Sequence, residues 1–351
     1  MKFIANTWHE GVWGPCEVSI ETGAVEISPS AEQSNLYLVP GFVDIHIHGA
    51  FGIDFMTASS AEMLTLADKL EEEGYEAFLP TTVTAPFLSV NRAFQVIPDH
   101  PAILGVHLEG PFISQKHPGA QPPADIADIP DGKSDWDEVF QHPLLRLITL
   151  APECKNGLAL VRRLAHRGVV VSAGHTDATY DQMVAAVENG LTHATHTYNA
   201  MRPFHHREAG TVGAVLSLPE INAELIYDRL HVSRAAADLL LKAKGPNCVI
   251  AVSDCTAAKG LAENSSIKMW GHDCVVANGS VRIADSGALA GSAASLLDVF
   301  RNLVEDFGWE VAGQLCCLNP RRILKMRGIA RKWLLFSSDL DLRDQFNVSL
   351  L

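Results

Sequence analysis

Between Val39 and Pro320 the chain repeats one pattern: a short apolar run, then a longer amphipathic stretch, then another short apolar run. This alternation predicts βα units and a parallel sheet. Eight runs qualify as strands: Phe42–Ile47, Ala77–Pro80, Ile103–Leu108, Leu145–Leu150, Val169–Ala173, Thr192–Thr195, Ala223–Tyr227 and Cys248–Ser253. Each is short and, apart from scattered polar positions, apolar, as expected of strands covered on both faces. The intervening stretches read as helices; Ala61–Glu73 carries Met63, Leu64, Leu66, Ala67 and Leu70 near helical spacing, and Asp181–Asn189 is a second such stretch. Eight units of this size predict a (β/α)8 barrel. A doubly wound open sheet is the rival, but no G-x-G-x-x-G follows the first strand.

The ends of the chain read differently. Cys16–Ile20 and Ala24–Ile27 are strand-like and flank a Glu21-Thr22-Gly23 turn, which predicts a small β-layer. Trp333-Leu-Leu-Phe336 near the C-terminus is expected to return and pair with these strands.

Potential metal ligands fall at the strand ends. His46 and His48 close the first strand, Glu109 the third, His175 the fifth, His196 the sixth and Asp254 the eighth. In a parallel barrel these ends share one mouth, where active sites are built. In His46-Ile-His48, residues two apart on a strand face the same way, so both imidazoles can reach one ion. Imidazole and carboxylate donors suit zinc or iron. A lone histidine or strand-end acid is usually structural, but burying six such groups together unpaired would be costly. His107 and His193 precede the strand ends and read as core or supporting groups.

The charge balance narrows the partners. With 27 Lys and Arg against 41 Asp and Glu, a net charge of −14, the chain lacks the positive field that nucleic acid requires. Seven scattered cysteines without a C-x-x-C pair read as reduced thiols. No leader-like N-terminus and no membrane-length apolar run is visible, so a cytoplasmic protein is expected.

The motifs Pro40-Gly-Phe-Val-Asp-Ile-His-Ile-His-Gly49, Leu79-Pro-Thr-Thr82, His107-Leu-Glu-Gly-Pro-Phe112, Ala173-Gly-His175, Thr195-His-Thr-Tyr-Asn-Ala-Met201, His206-Arg-Glu-Ala-Gly210, Leu230-His-Val232, Ser253-Asp254 and Leu289-Ala-Gly-Ser292 together resemble the N-acetylglucosamine-6-phosphate deacetylases of the amidohydrolase superfamily. The resemblance covers Pro40 to about Pro320. It implies an amidohydrolase-type (β/α)8 TIM-like barrel over 41–325, and a small β-sandwich built from 1–40 and 326–351. It implies that Glu109, His175 and His196 hold the main divalent metal, that His46 and His48 hold a second ion bridged by Glu109, and that Asp254 is the catalytic acid and base. Asn199, Ala200, His231 and Gln121 would contact the amino-sugar phosphate. Arg207 would do so across a homodimer interface, where its guanidinium can hold phosphate with two hydrogen bonds.

Three departures stand out. Family members usually carry a histidine twelve residues after the metal glutamate, where this chain has Gln121. A glutamine donates a neutral hydrogen bond but cannot be cationic, so a slower enzyme or a shifted substrate is expected, with His117 as a candidate substitute. Arg229 replaces the usual glycine before Leu230-His-Val232 and is expected to add bulk and charge near the phosphate. The tail lacks the usual Gly-rich Ala-Asp segment, which predicts a reduced β-layer. Competing readings are the same chemistry on N-acetylgalactosamine 6-phosphate, another amidohydrolase, and a non-catalytic scaffold barrel. Many other amidohydrolases carry a carboxylated lysine at the end of strand four, but Thr149-Leu-Ala-Pro-Glu153 has no lysine.

Overall fold

Residues 4–8, 16–18 and 24–28 alternate in exposure with period two, as strands with one covered face do. The strands here are Lys2–His9 (β1), Val12–Glu21 (β2), Ala24–Pro29 (β3) and Leu36–Pro40 (β4). The antiparallel β1–β2 register sets Ala5 against Cys16 and Phe3 against Val18. The structure, a computed structural model, describes residues 1–21 and 24–348. The expected turn at Thr22 and Gly23, and the end of the C-terminal segment at 349–351, lie outside the described residues.

The repeating part begins with Phe42–Ile47 (β5), which is buried at every position. A short hairpin follows, Gly49–Ala50 (β6) and Ile53–Asp54 (β7). Next come Tyr75–Pro80 (β8), Val106–Glu109 (β9), Leu145–Leu150 (β10), Val170–Ala173 (β11), His193–Ala194 (β12), Asn222–Ile226 (β13) and Val249–Val252 (β14). All eight expected strands are present: two with the expected bounds, four shortened by one or two residues, one shifted by one and one, Tyr75–Pro80, begun two residues earlier. β9 to β14 form one parallel sheet in chain order, a half-barrel, while β5 pairs with β8 in parallel. Single parallel bridges join the two sheets at both seams: Phe78 to Ile103 and Thr81 to His107 on one side, Ile47 to Cys255 on the other.

Helices cover the outside. Ser60–Glu72 begins at a capping box in which Ser59 and Glu62 satisfy each other's backbone N–H groups. Its buried stripe is Met63, Leu66, Ala67 and Leu70; Leu64, expected on the same face, is exposed. Tyr180–Glu188 occupies the second expected stretch.

Two parts lie outside this repeat. Ser266–Met269 (β15), His272–Ala277 (β16), Ser280–Ile283 (β17) and Leu289–Ser292 (β18) form a four-stranded antiparallel insert after β14. Its apolar face is Met269, Cys274, Val276, Val281 and Ala290, with Ala257 and Ala258. Lys332–Ser337 (β19) and Leu342–Asn347 (β20) then return to the N-terminal strands, as Trp333-Leu-Leu-Phe336 predicts. The result is a small β unit with strand order β20-β19-β4-β1-β2-β3. It packs closely on the βα part of the chain: a Cβ at Gly313 would lie 2.3 Å from the Trp8 ring, and Tyr37 stacks on Trp309 at 4.0 Å. Among the described residues the layer has six strands.

Candidate active site

Glu109 ends β9 with its carboxylate almost fully buried, and the imidazoles converge on it. Its Oε1 lies 3.2 Å from His196 Nε2, 3.3 Å from His175 Nε2 and 3.4 Å from His46 Nε2. Its Oε2 lies 3.4 Å from His48 Nε2. The rings pair, with Nε2 atoms 3.0 Å apart for His175 and His196 and 3.3 Å apart for His46 and His48. Asp254 Oδ1 completes the group at 3.2 Å from His48 and 3.4 Å from His46. Thus the six strand-end residues that the sequence singles out meet in one place.

The hydrogen bonds behind the rings determine what this cluster can hold. Each Nδ1 faces an acceptor: Glu224 Oε2 for His46 at 3.1 Å, Thr81 O for His48 at 3.1 Å, His117 O for His175 at 3.0 Å and Asn199 O for His196 at 3.2 Å. Every neutral ring therefore carries its proton on Nδ1 and turns the Nε2 lone pair inward. Four lone pairs and two carboxylates then face one another, and only positive charge reconciles them. The donors form two overlapping triads, His46, His48 and Glu109, and Glu109, His175 and His196. Such an N/O set with partners behind each ring fits a divalent cation.

The electrostatics make the same demand. Burial would push the Glu109 carboxyl up, yet His46 and the bonds from His175 and His196 hold it well below the usual range. Burial also opposes ionisation of Asp254, but His46 and His48 beside it hold its pKa down at about 2. Burial would push the His46 imidazole down, but the facing Glu109 and Asp254 carboxylates raise it well above its ordinary value.

Local backbone geometry aims these groups. His175, His196 and Asp254 have φ of +47°, +32° and +48°. Non-glycine residues seldom adopt this region, and such outliers gather at functional sites. Below the rings, Glu224 on β13 accepts from the His46 ring and from the His196 backbone N–H at 3.1 Å. Its other oxygen has no partner. Sequence reasoning missed Glu224, although a lone carboxylate inside the apolar Ala223–Tyr227 run was the available signal.

The pocket above Glu109 and Asp254 is lined by Asn199, Ala200 and His231, and also by Ile226, Trp270 and Leu289. His231 Nδ1 sits 2.7 Å from Asp228 Oδ2. Burial lowers its pKa less than that carboxylate raises it, so the imidazole titrates above its ordinary value. Gln121 is buried and doubly held: its Nε2 donates to Glu109 Oε2 at 2.6 Å, and its Oε1 accepts from the Thr84 N–H at 2.7 Å.

Arg207, Arg229 and His117 lie apart from this pocket. Arg207 lies in an exposed loop with its guanidinium 2.9 Å from His206 Nε2, outside its own chain's pocket. Arg229 corrects the expectation of a cation beside the phosphate. Its side chain turns to Asp306 at 2.7 Å and Glu305 at 2.9 Å, because those acids on the helix Leu296–Phe307 outcompete the pocket for it. The His117 ring bonds Asp177 at 3.2 Å, so this residue offers the site only its carbonyl oxygen, spent on His175. His107 is buried between strands, against Ile45 O and Thr149 Oγ1. Of the insert, the sequence expectations hold only Leu289-Ala-Gly-Ser292, which is β18; Trp270 has no counterpart in them, and nothing in the sequence ties its turn to the mouth.

Residues 37–328 match the model of the amidohydrolase family. The chain is 38% identical over 281 residues to the N-acetylglucosamine-6-phosphate deacetylase of Lysinibacillus sphaericus, covering 78% of this chain and 72% of that one. It is 34% identical over 301 residues to the N-acetylgalactosamine-6-phosphate deacetylase of Escherichia coli O157:H7, covering 83% and 79%. The solved structure of a variant N-acetyl-D-glucosamine-6-phosphate deacetylase from Mycobacterium smegmatis, in complex with N-acetyl-D-glucosamine-6-phosphate, aligns over 95% of this chain and 93% of its own. Its TM-score is 0.87 at 30% identity.

Proposed function

This chain belongs to the amidohydrolase family, and on that premise we propose that it hydrolyses the acetamide of N-acetylglucosamine 6-phosphate to acetate and glucosamine 6-phosphate. The observation that carries the reading is the convergence of four inward Nε2 atoms on the Glu109 carboxylate. Glu109, His175 and His196 would hold the main ion, zinc or iron, and His46 and His48 a second one sharing Glu109. A divalent cation there supplies Lewis acidity, lowering the pKa of a water to about 7 and polarising a carbonyl oxygen.

The chain's own groups do the rest. Asp254, ionised at neutral pH, accepts the proton of the attacking water and delivers it to the departing amine nitrogen. One C–O bond forms and one C–N bond breaks. His231, made more basic by Asp228, presents an N–H to the phosphoryl oxygens, with the Asn199–Ala200 backbone beside it. Gln121 holds Glu109 Oε2 and fixes the carboxylate plane.

The same reading takes the eight parallel strands as one closed (β/α)8 barrel over 41–325, supported by the bridges at both seams. It takes 1–40 with 326–351 as a small β-sandwich domain, supported by the pairing of β4 with β19. It places Arg207 in a partner's pocket within a homodimer, supported by its exposure outside its own pocket and by the neighbouring exposed Phe204. Cytoplasmic placement rests on the unpaired cysteines; no helix among the described residues is long and apolar enough to cross a membrane. N-acetylgalactosamine 6-phosphate is the second substrate reading, supported by the 34% identical relative that bears that name.

Metal analysis of the purified protein, combined with acetate release from both sugar phosphates and their unphosphorylated forms, tests the proposal. Bound metal and acetate released from the glucosamine derivative are expected. Bound metal without acetate from either phosphate would discard the deacetylase reading, and failure to bind any divalent ion would favour a scaffold.

A further inference from the structure

Trp270 occupies the turn between β15 and β16 with φ of +54°. That conformation suits glycine and strains a bulky side chain, so something must hold the indole in place. Two contacts do. Its Nε1–H donates to Asp54 Oδ2 on β7 at 3.2 Å, across the mouth from its own hairpin. Its ring meets the His48 imidazole edge to face at 5.0 Å. The far end of the indole reaches Gly291: a Cβ there would lie 3.5 Å from Trp270 Cη2 and 2.5 Å from Thr256. The insert therefore puts one large, flat, anchored apolar group into a pocket whose floor is polar.

The two sides of that pocket differ in chemistry. The side of β12 and β13 offers His231 and the Asn199–Ala200 backbone, which suit a phosphorylated sugar. The side of β5 and the insert offers Trp270 with Leu289 and Gly291, which suit hydrocarbon. In the deacetylase reading the reacting carbonyl would lie between them, over Glu109 and Asp254. With the sugar on the polar side, the acyl chain must point at the indole. We infer that Trp270 is a specificity-determining residue that closes the acyl end of the site and limits the enzyme to short N-acyl groups. This rests on the deacetylase reading and deepens it.

Steady-state kinetics on N-acetyl-, N-propionyl- and N-butyryl-glucosamine 6-phosphate, with the metal-loaded enzyme and its Trp270→Gly variant, test the inference. Glycine relieves the backbone, which favours folding; a Trp270→Phe variant keeps most of the packing should the first fail to fold. The wild type is expected to lose about tenfold or more in kcat/KM per added methylene, within the range that apolar pockets discriminate. Trp270→Gly should raise the butyryl-to-acetyl ratio at least about tenfold, and Trp270→Phe should raise the propionyl-to-acetyl ratio several-fold. Inhibition by glucosamine 6-phosphate, which has no acyl group, should stay within about twofold. An unchanged chain-length preference in both variants overturns the inference, as does an equal loss on all three substrates accompanied by weaker inhibition by the amine. Absence of turnover by the wild type on every acyl derivative would instead remove the deacetylase reading beneath it.

Discussion

The two histidine pairs around Glu109 look alike but are held differently. His175 and His196 are backed only by backbone carbonyls, those of His117 and Asn199, and both reach the same carboxylate oxygen. His46 is backed by a carboxylate, Glu224, and its pair also faces Asp254. Gln121 additionally occupies the Glu109 oxygen nearest His48. One half is thus a cradle fixed from behind by main chain, which substitution cannot easily disturb. The other is a network of charges in which each member depends on the next, so single changes should unbalance it.

The comparison can be broken outright at its shared member. Glu109→Gln removes the anion that serves both halves, and turnover should fall on the order of 10³-fold or more with loss of bound metal. Metal analysis beside the kinetic assay checks this, and retention of a full metal complement would refute the convergence of both halves on one anion. Glu224→Gln tests the difference between the halves. The glutamine still accepts from the His196 N–H but no longer sets a charge behind His46. Affinity for a metal at the His46–His48 half should weaken by about 10- to 100-fold while the other half keeps its ion. Titration of the metal-free protein with zinc, followed calorimetrically, reads the two halves separately; equal weakening of both would abolish the distinction.

These differences also explain what the sequence reveals. His46, His48, Glu109, His175, His196 and Asp254 are legible because strand parity and strand-end position are periodic, local properties. Glu224 is not, because its purpose depends on His46, 178 residues away, and a single acid in an apolar run carries no periodic signal. Arg229 misleads for the same reason. Its partners Glu305 and Asp306 sit on a later helix, Asp306 77 residues on, and the nearness of Leu230-His-Val232 in sequence points the guanidinium the wrong way. The β15–β18 insert is four short strands without helices between them, so it falls outside the alternation that organises the rest.

Gln121 sharpens the comparison from the substrate side. Gln121→His would exchange a neutral clamp on Glu109 Oε2 for a group that can take a proton, and turnover on the sugar phosphates should change several-fold. Identical turnover would discard the idea that this position limits the enzyme. Gln121→Ala leaves a buried carboxylate oxygen and the Thr84 N–H without partners, which should cost about 1–3 kcal/mol of stability, read by chemical denaturation.

The polar rim should respond to pH through its affinity for phosphate. Asp228 raises the His231 pKa above its ordinary value of 6.5, so the imidazolium form persists to a higher pH than in a free histidine. Phosphate affinity from this charge is fully present below 6.5 and is lost as pH rises through the raised value. The KM for the phosphorylated substrate should therefore climb over that window, while the KM for the unphosphorylated sugar stays flat. Asp228→Asn should move the climb to lower pH; a climb that stays in place would separate it from His231.

The smallest effect is expected at Arg229, where opposing terms nearly cancel. Its φ of +65° costs a non-glycine residue about 1–2 kcal/mol relative to an ordinary backbone. Its guanidinium recovers part of that through Asp306 and Glu305, but the side chain is 40% exposed, and such pairs are worth about 0.2–1 kcal/mol each. Arg229→Gly removes strain and ion pairs together, so the unfolding free energy should move by no more than about 1 kcal/mol. Because the guanidinium faces the helix Leu296–Phe307 and not the pocket, KM for the sugar phosphate should be unchanged. A several-fold rise in KM without loss of stability would mean that Arg229 swings to the phosphate when substrate binds, and the rim would then be coupled to that helix instead of standing on Asp228 and His231 alone.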